Sequence, residues 1–146
     1  MNEARRHHER LARSMARIGS HGPTDQDHDD LLRAFEDCWH LKDHIKHCIS
    51  QDAGKQLERD IDDHRFPSLE IVADLANKSK HVVLTKKKRV DATITHKSIH
   101  AFDGSPSPPP TAAYTVTTRD GGVHDAHRLL ERALVEWNAV LAAHGL

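Results

Sequence analysis

Apolar residues recur at three- and four-residue steps over most of this chain of 146 residues, and a helical period restricts it to a mainly α fold. The pattern is clearest at 123–144, where Leu130, Leu134, Trp137 and Leu141 fall on one side of a helix. A helix with a broad apolar side buries that side against its neighbours. We therefore predict that this last helix packs into a helical bundle.

A second long helix is predicted over 25–50. Lys42 lies in the middle of its apolar side, so the ammonium group must reach solvent or pair with a carboxylate. On the opposite side, which we expect to face water, His40, His44 and His47 have a spacing that could hold a metal ion, but that side offers no acidic or cysteine partner. We predict no metal site and no cofactor. The other residues of the apolar side fall within about 80° on a helical wheel: Leu31, Phe35, Cys38, Ile45 and Ile49.

A third helix is predicted to start at Pro67, because proline is well tolerated in the first turn. Its buried side consists of Val72, Leu75, Ala76 and Ser79. A polar stripe follows at steps of four, three and four residues: Glu70, Asp74, Asn77 and His81. A solvated helix face is the simplest interpretation. The mixture of carboxylate, amide and imidazole also fits a site in which a histidine is oriented.

The N-terminal residues 2–18 predict a basic first helix with a narrow apolar stripe, ended by the glycines and proline of 19–23. We assign 1–22 to this helix, which docks on the rest of the chain or pairs with another chain. Residues 23–146 are predicted to form one helical-bundle domain, with a loop and a short helix at 51–66.

The period changes after the third helix. Residues 81–85, 90–95 and 114–118 are rich in β-branched side chains and predict the strands of a small antiparallel sheet. The proline-rich stretch 103–111 predicts a flexible loop. The predicted fold class is mainly α: a bundle of about four helices, with an antiparallel β insertion at about 81–119 before the last helix.

Charge is strongly segregated along the chain, although the net charge is −1. Residues 1–20 carry a net charge of +3, residues 21–77 carry −8 and residues 78–97 carry +6. The basic stretches fit RNA or another anionic partner, and they equally fit a contact with the acidic stretch of the same fold or of a second subunit. Aromatic residues make up 4% of the chain, which argues against base stacking. The predicted anion-binding run is Lys86, Lys87, Lys88 and Arg89.

Composition also bears on the compartment. No apolar run approaches the roughly 18 residues needed to span a membrane, and no signal-peptide core follows Met1. Cys38 and Cys48 would lie about 15 Å apart on one helix, too far for a disulfide bond. We predict a cytoplasmic protein with reduced thiols and no membrane partner.

Two short motifs resemble a group of uncharacterised bacterial and phage-associated proteins. The motifs are Cys-Trp-His-Leu-Lys-Asp at 38–43, and the Asp-x-x-Asn-x-x-Lys-His pattern that ends at His81. The resemblance covers about 30–146. The layout also resembles, more distantly, the HEPN superfamily of helical bundles, many of which are metal-independent ribonucleases in toxin–antitoxin and phage-defence systems. The resemblance therefore implies a setting in a bacterial or phage conflict system.

The HEPN signature is an arginine, a polar residue, three arbitrary residues and a histidine. Arg59 to His64 matches it literally, whereas Asn77 to His81 matches it only loosely, with asparagine in place of arginine. The resemblance implies that His81 acts as general acid and base, Asn77 orients it, and Lys80 or Lys42 neutralises the phosphate.

Two main hypotheses follow, and they leave open whether the protein is an enzyme. The first, which we favour slightly, is an interaction or regulatory module that acts as a homodimer. In it Lys42 is the counter-ion of Asp74 or Glu70, in a polar pocket that His40 completes. The second is an HEPN-like endoribonuclease with the catalytic residues His81, Asn77, Lys80 and Lys42. A third hypothesis, a metal-dependent bundle enzyme, has less support because the sequence lacks the Glu-x-x-His pairs of di-iron bundles.

Overall fold

The computed structural model describes residues 2–18, 25–80, 93–98 and 112–146, and within these it contains five helices and three strands. The helices are α1 (Glu3–Met15), α2 (Asp25–Cys48), α3 (Gln51–Asp62), α4 (Pro67–Lys80) and α5 (Ala126–Ala143). The strands are β1 (Thr93–Ser98), β2 (Ala112–Thr117) and β3 (Val123–Asp125). The predicted fold class, a helical bundle with a small antiparallel sheet before the last helix, is confirmed.

Three helices begin at residues whose side chains accept a hydrogen bond from the first turn. Asn2 accepts from the N–H of Arg5 in α1, and Asp125 accepts from the N–H of Arg128 in α5. Ser50 does the same at the start of α3. Each of these caps satisfies an N–H group that the helix itself leaves without a partner.

The hydrophobic core lies where α2, α4 and α5 meet, and α1 closes it from one side. Trp137 of α5 and Phe35 of α2 are its largest fully buried side chains. Ala4, Leu11 and Met15 of α1 belong to the same cluster, so α1 is docked on the bundle rather than standing apart. The predicted apolar side of α2 is buried as expected, with Ile49 at its edge.

The segment between α2 and α4 differs from the prediction. It is almost entirely helical, since α3 runs from Gln51 to Asp62, and Gly54 lies inside the helix. Leu57 and Ile61 are buried. A glycine is unfavourable in a helix but does not end one, and the burial of two apolar side chains outweighs its cost of about 1 kcal/mol.

The strands form an antiparallel sheet in the order β1-β2-β3. Tyr114 and Val116 of β2 are buried and β2 contacts α5, so one face of the sheet covers that helix. Two boundaries differ from the prediction. The strand predicted at 90–95 continues in pairing to Ser98, while its residues 90–92 lie outside the described residues, and residues 123–125 form β3 instead of the first turn of the last helix. Strand pairing decides both, because Ser98 of β1 pairs with Ala112 of β2, and Val116 of β2 pairs with His124 of β3.

Three predictions fall outside the described residues: the strand at 81–85, the loop at 103–111 and the basic run 86–89. In the part of the chain that the structure does describe, no helix has the length and apolar character to cross a membrane.

Candidate functional site

The polar stripe of α4 lies inside the bundle. Every residue from Ser68 to Ala76 is buried, and Glu70 and Asp74 are 5% and 4% exposed. The interpretation of these two carboxylates as part of a solvated face is therefore wrong. The reason is that α4 is enclosed by α2, α3 and α5, which leaves it no outer side along this stretch. Asn77, one turn further, is half-buried.

Glu70 is paired with a histidine that precedes α4. The Nδ1–H of His64 donates to Glu70 Oε1 over 2.6 Å, and the side chain of His64 is otherwise 76% exposed. His64 follows the C-terminal end of α3 with a φ of 62°, a left-handed conformation that is usually taken by glycine. The contact of His64 is with Glu70 and not with Arg59, the residue that the signature would pair with it.

Glu136 of α5 provides the N-terminal cap of α4. Its two carboxylate oxygens accept hydrogen bonds from the N–H of Ser68, at 3.1 Å, and from that of Leu69, at 3.0 Å. Burial raises the pKa of Glu136, and the nearby charge of Glu70 raises it further, while the hydrogen bonds from Ser68 and Leu69 oppose the shift. The effect of partial burial on the pKa of Glu136 thus outweighs that of its favourable position at the start of α4.

Together these residues form a polar corner at the start of α4, made of His64, Ser68, Glu70 and Glu136. A buried carboxylate that holds one nitrogen of an exposed imidazole fixes the direction of the ring. Both carboxylates of the corner are engaged with groups of the fold itself. The described residues contain no group of three His, Cys, Asp or Glu side chains that could hold a metal ion.

Lys42 contacts α3 and its own helix. Its Nζ lies 3.9 Å from Glu58 Oε1 and 4.5 Å from the ring centroid of Trp39. Lys46 binds the same carboxylate more closely, at 2.7 Å. The predicted pairing of Lys42 with Glu70 is replaced by two other contacts. Glu70 binds His64, and Glu58 binds Lys46 and lies near Lys42. The predicted pairing of Lys42 with Asp74 stays a prediction.

The predicted water-facing side of α2 is partly covered by α1. His44 stacks on His7 with ring centroids 4.1 Å apart and lies 3.3 Å from Glu3 Oε1. Burial lowers the pKa of His7, and the charges of His44 and Arg10 lower it further. The prediction that His44 faces solvent is therefore wrong, whereas His47 is exposed and His40 is half-buried.

Histidines also join α1 to α5. The Nε2–H of His8 donates to the carbonyl of Leu134, and that of His127 donates to the carbonyl of Ile18, both over 2.9 Å. Arg5 donates to Asn138 Oδ1 and to the carbonyl of Leu146. These histidines are thus used to fix the position of α1.

The residues proposed for catalysis are only partly described. Lys80 is the last residue of α4, and its side chain lies outside the described residues, as do His81 and the run 86–89. Their roles stay predictions. The two cysteines are free, and burial raises the pKa of the Cys38 thiol to about 12, so at neutral pH it is an unreactive core residue.

Two open grooves lie on the described surface. One, of about 240 Å³, runs between α1 and α2 beside Arg17 and Asp37. The other, of about 500 Å³, lies between the end of α2 and the start of α3 beside Lys46 and Lys55. Neither is lined by Lys42, Glu70 or Asp74, so the residues that the motifs single out do not open onto these grooves.

Sequence reasoning missed the contacts of His64 and Glu136. The only signal for His64 was its place between a helical stretch and Phe66-Pro67, where a left-handed residue often ends a helix. Glu136 carried no signal, because the helix that it caps starts 69 residues earlier in the chain.

The fold and these contacts define a helical bundle of five described helices with a three-stranded antiparallel sheet against α5. No family model, no curated protein and no solved structure matches this chain.

Proposed function

We propose that this chain is a non-enzymatic interaction or regulatory module that acts as a homodimer, with a setting in a bacterial or phage conflict system that the resemblance alone suggests. One observation carries the first part of the proposal. The two carboxylates of α4 that sequence reasoning marked for a site are buried, and Glu70 is engaged with His64. A buried carboxylate paired within the fold contributes to its architecture and is not accessible to a substrate.

The proposal of a dimer draws on two exposed apolar side chains. Val123 is 68% exposed on the short strand β3, and Val135 is 69% exposed on α5. In the order β1-β2-β3, β3 is an edge strand, so its outer side is open to pairing within the described part of the chain. Edge strands of this kind are where a second chain adds to a sheet.

The test measures mass and cleavage on the same preparation. Light scattering on the purified protein is expected to give twice the chain mass of 16.4 kDa. Incubation with total RNA in EDTA is expected to leave the RNA intact. A monomeric mass would contradict the dimer.

The competing hypothesis is the HEPN-like endoribonuclease that uses His81. His81→Ala is its test, and His47→Ala is the matched control, because His47 is an exposed histidine of α2. RNA cleavage by the parent and by His47→Ala, but not by His81→Ala, would overturn the non-enzymatic proposal. An adjacent nucleotidyltransferase or antitoxin gene would favour the nuclease as well.

A further inference from the structure

Four arginines form a line along the outward side of α1 and its C-terminal turn, which we call the arginine stripe: Arg6, Arg10, Arg13 and Arg17. All four are exposed. Steps of four, three and four residues place them within about 60° on a helix that advances roughly 100° per residue. At about 1.5 Å per residue the stripe is about 16 Å long.

The helix that carries the arginine stripe, α1, packs against the bundle through its opposite side. Ala4, Leu11 and Met15 are buried in the core. Arg5 points away from the stripe and donates to Asn138 Oδ1 at 2.6 Å and to the carbonyl of Leu146 at 2.7 Å. A docked helix presents its charges in a fixed row, so a partner does not have to order the helix on binding.

No carboxylate of the described residues forms an ion pair with the first three arginines of this row. Arg10 donates instead to the Nδ1 of His7, over 2.9 Å. Of the two acidic residues of the same helix, Glu3 is engaged by His44, and Glu9 lies beside the stripe, one turn from Arg6 and from Arg13.

Two acidic residues of α2 also restrict where an anion could lie. Asp30 and Asp37 of α2 line the groove beside α1, together with Arg17 and Arg33. A polyanion would be repelled by the two carboxylates inside the groove. It therefore runs along the outer side of α1, over Arg6, Arg10 and Arg13.

We propose that the arginine stripe binds the phosphate backbone of a nucleic acid strand, without regard to base. Guanidinium groups pair with phosphate oxygens in a bidentate way, which favours arginine over lysine for this contact. One strand of a DNA duplex carries a charge for about every 3.4 Å of its axis, so a stripe of about 16 Å is long enough to meet more than one phosphate even where a single strand is more extended. No aromatic side chain of α1 is available for stacking, since residues 3–15 contain none apart from histidine.

This inference names a partner for the module proposed above. It rests on that proposal in one respect: the bound nucleic acid strand is not cleaved. It also differs from the predicted role of the run 86–89, which lies elsewhere in the chain. Binding is electrostatic and must weaken steeply with salt.

The experiment measures the fluorescence anisotropy of a labelled 20-nucleotide oligouridylate against the full chain over a series of salt concentrations. The variant is Arg6→Gln with Arg13→Gln. The matched control is Arg128→Gln with Arg132→Gln, which removes the same charge from two exposed positions of α5. Urea midpoints establish that both variants are folded.

For two lost contacts to a single strand, the slope of log K against log salt is expected to fall by about 1.4, and affinity at 0.1 M salt by about 25-fold. The control is expected to bind like the parent. Equal losses in variant and control would overturn the inference, because only net charge would then matter. The inference would also be overturned if the variant bound the oligonucleotide like the parent and binding was lost only when the run 86–89 was neutralised.

Polyglutamate distinguishes a nucleic acid from an acidic protein partner. Unlabelled oligouridylate is expected to displace the probe at a lower charge concentration than polyglutamate does. Equal displacement would overturn the assignment to nucleic acid. Gel analysis of the recovered RNA separates the two proposals: cleaved RNA contradicts the non-enzymatic function, whereas unchanged binding by the variant contradicts the stripe alone.

Discussion

The indole N–H of Trp137 on α5 donates a hydrogen bond over 2.8 Å to the main-chain carbonyl of Cys38 on α2, inside the core. Both residues are fully buried, so the bond fixes the relative position of the two helices where no water can replace it. It also explains how a tryptophan is accommodated at the centre of the bundle, because a buried indole N–H needs an acceptor.

Trp137→Phe should therefore destabilise the protein by about 1–3 kcal/mol, since it removes the donor and leaves a cavity beside the carbonyl. Urea denaturation at neutral pH measures the change. Leu134→Met, a volume-conserving change on the same helix, is the control and should cost less than about 1.5 kcal/mol. An equal loss in both variants would show that the hydrogen bond is unimportant.

The capping role of Glu136 has two consequences. Glu136→Ala removes both acceptors and should cost about 1 kcal/mol, as the loss of an N-cap does. Glu136→Gln keeps an acceptor and removes the charge, so it should lose less. Chemical denaturation of both variants at pH 7 gives the comparison, and a smaller effect of alanine than of glutamine would contradict the capping role.

Stability should also depend on pH through Glu136. Its pKa is raised in the folded protein by burial, so the folded state binds the proton more tightly than the unfolded state. Between the ordinary pKa of 4.5 and the raised value, stability must therefore increase as the pH falls. As the pH falls through that interval, the unfolding free energy of the parent should increase relative to that of Glu136→Gln. A shift in the opposite direction would contradict the assignment.

The left-handed backbone conformation of His64 gives another prediction. His64→Ala loses the hydrogen bond to Glu70 and keeps a φ of 62°, whereas His64→Gly loses the same bond but relieves the backbone. The glycine variant should therefore be about 1 kcal/mol more stable than the alanine variant. Urea midpoints of the two variants test it, and equal stability would show that the backbone carries no such cost.

The turn between β2 and β3 gives a further prediction. A Cβ on Gly122 would lie 2.7 Å from Thr118 Oγ1, and that hydroxyl is held by its hydrogen bond to Asp120. Gly122→Ala should cost about 1–3 kcal/mol, as overpacking does. In a Thr118→Ala background the same change should cost clearly less, because the clashing oxygen is gone. Additive effects in this double-mutant cycle would exclude the clash as the cause.

Much of the fold could be predicted because its signals are local. The apolar side of α2 and the start of α4 at Pro67 follow from residue spacing and from proline within a few residues. The residues at 51–66 and 123–125 were assigned wrongly, because their local signals are weak. Contacts from α2 and α4 and from β2 then decide their structure.

The candidate site was harder to predict than the fold. Sequence spacing placed Lys42 on an apolar side and Glu70 on a polar one, and both are half-buried or buried. Their partners could not be inferred, because a charge in a helix can reach any neighbour that the packing brings near. Glu58 and His64 are those neighbours, and neither was assigned to a pocket.

The sequence by itself determined that this protein is a mainly helical bundle and which side of α2, α4 and α5 would be apolar, because helical periodicity depends only on neighbouring residues. Tertiary structure alone decided that Glu136 would cap α4, that Trp137 would bind the carbonyl of Cys38 and that histidines would fasten α1. Each of these bonds joins residues more than 60 positions apart. Such pairs form only when the burial of apolar sides has brought the helices together, and no local pattern encodes them.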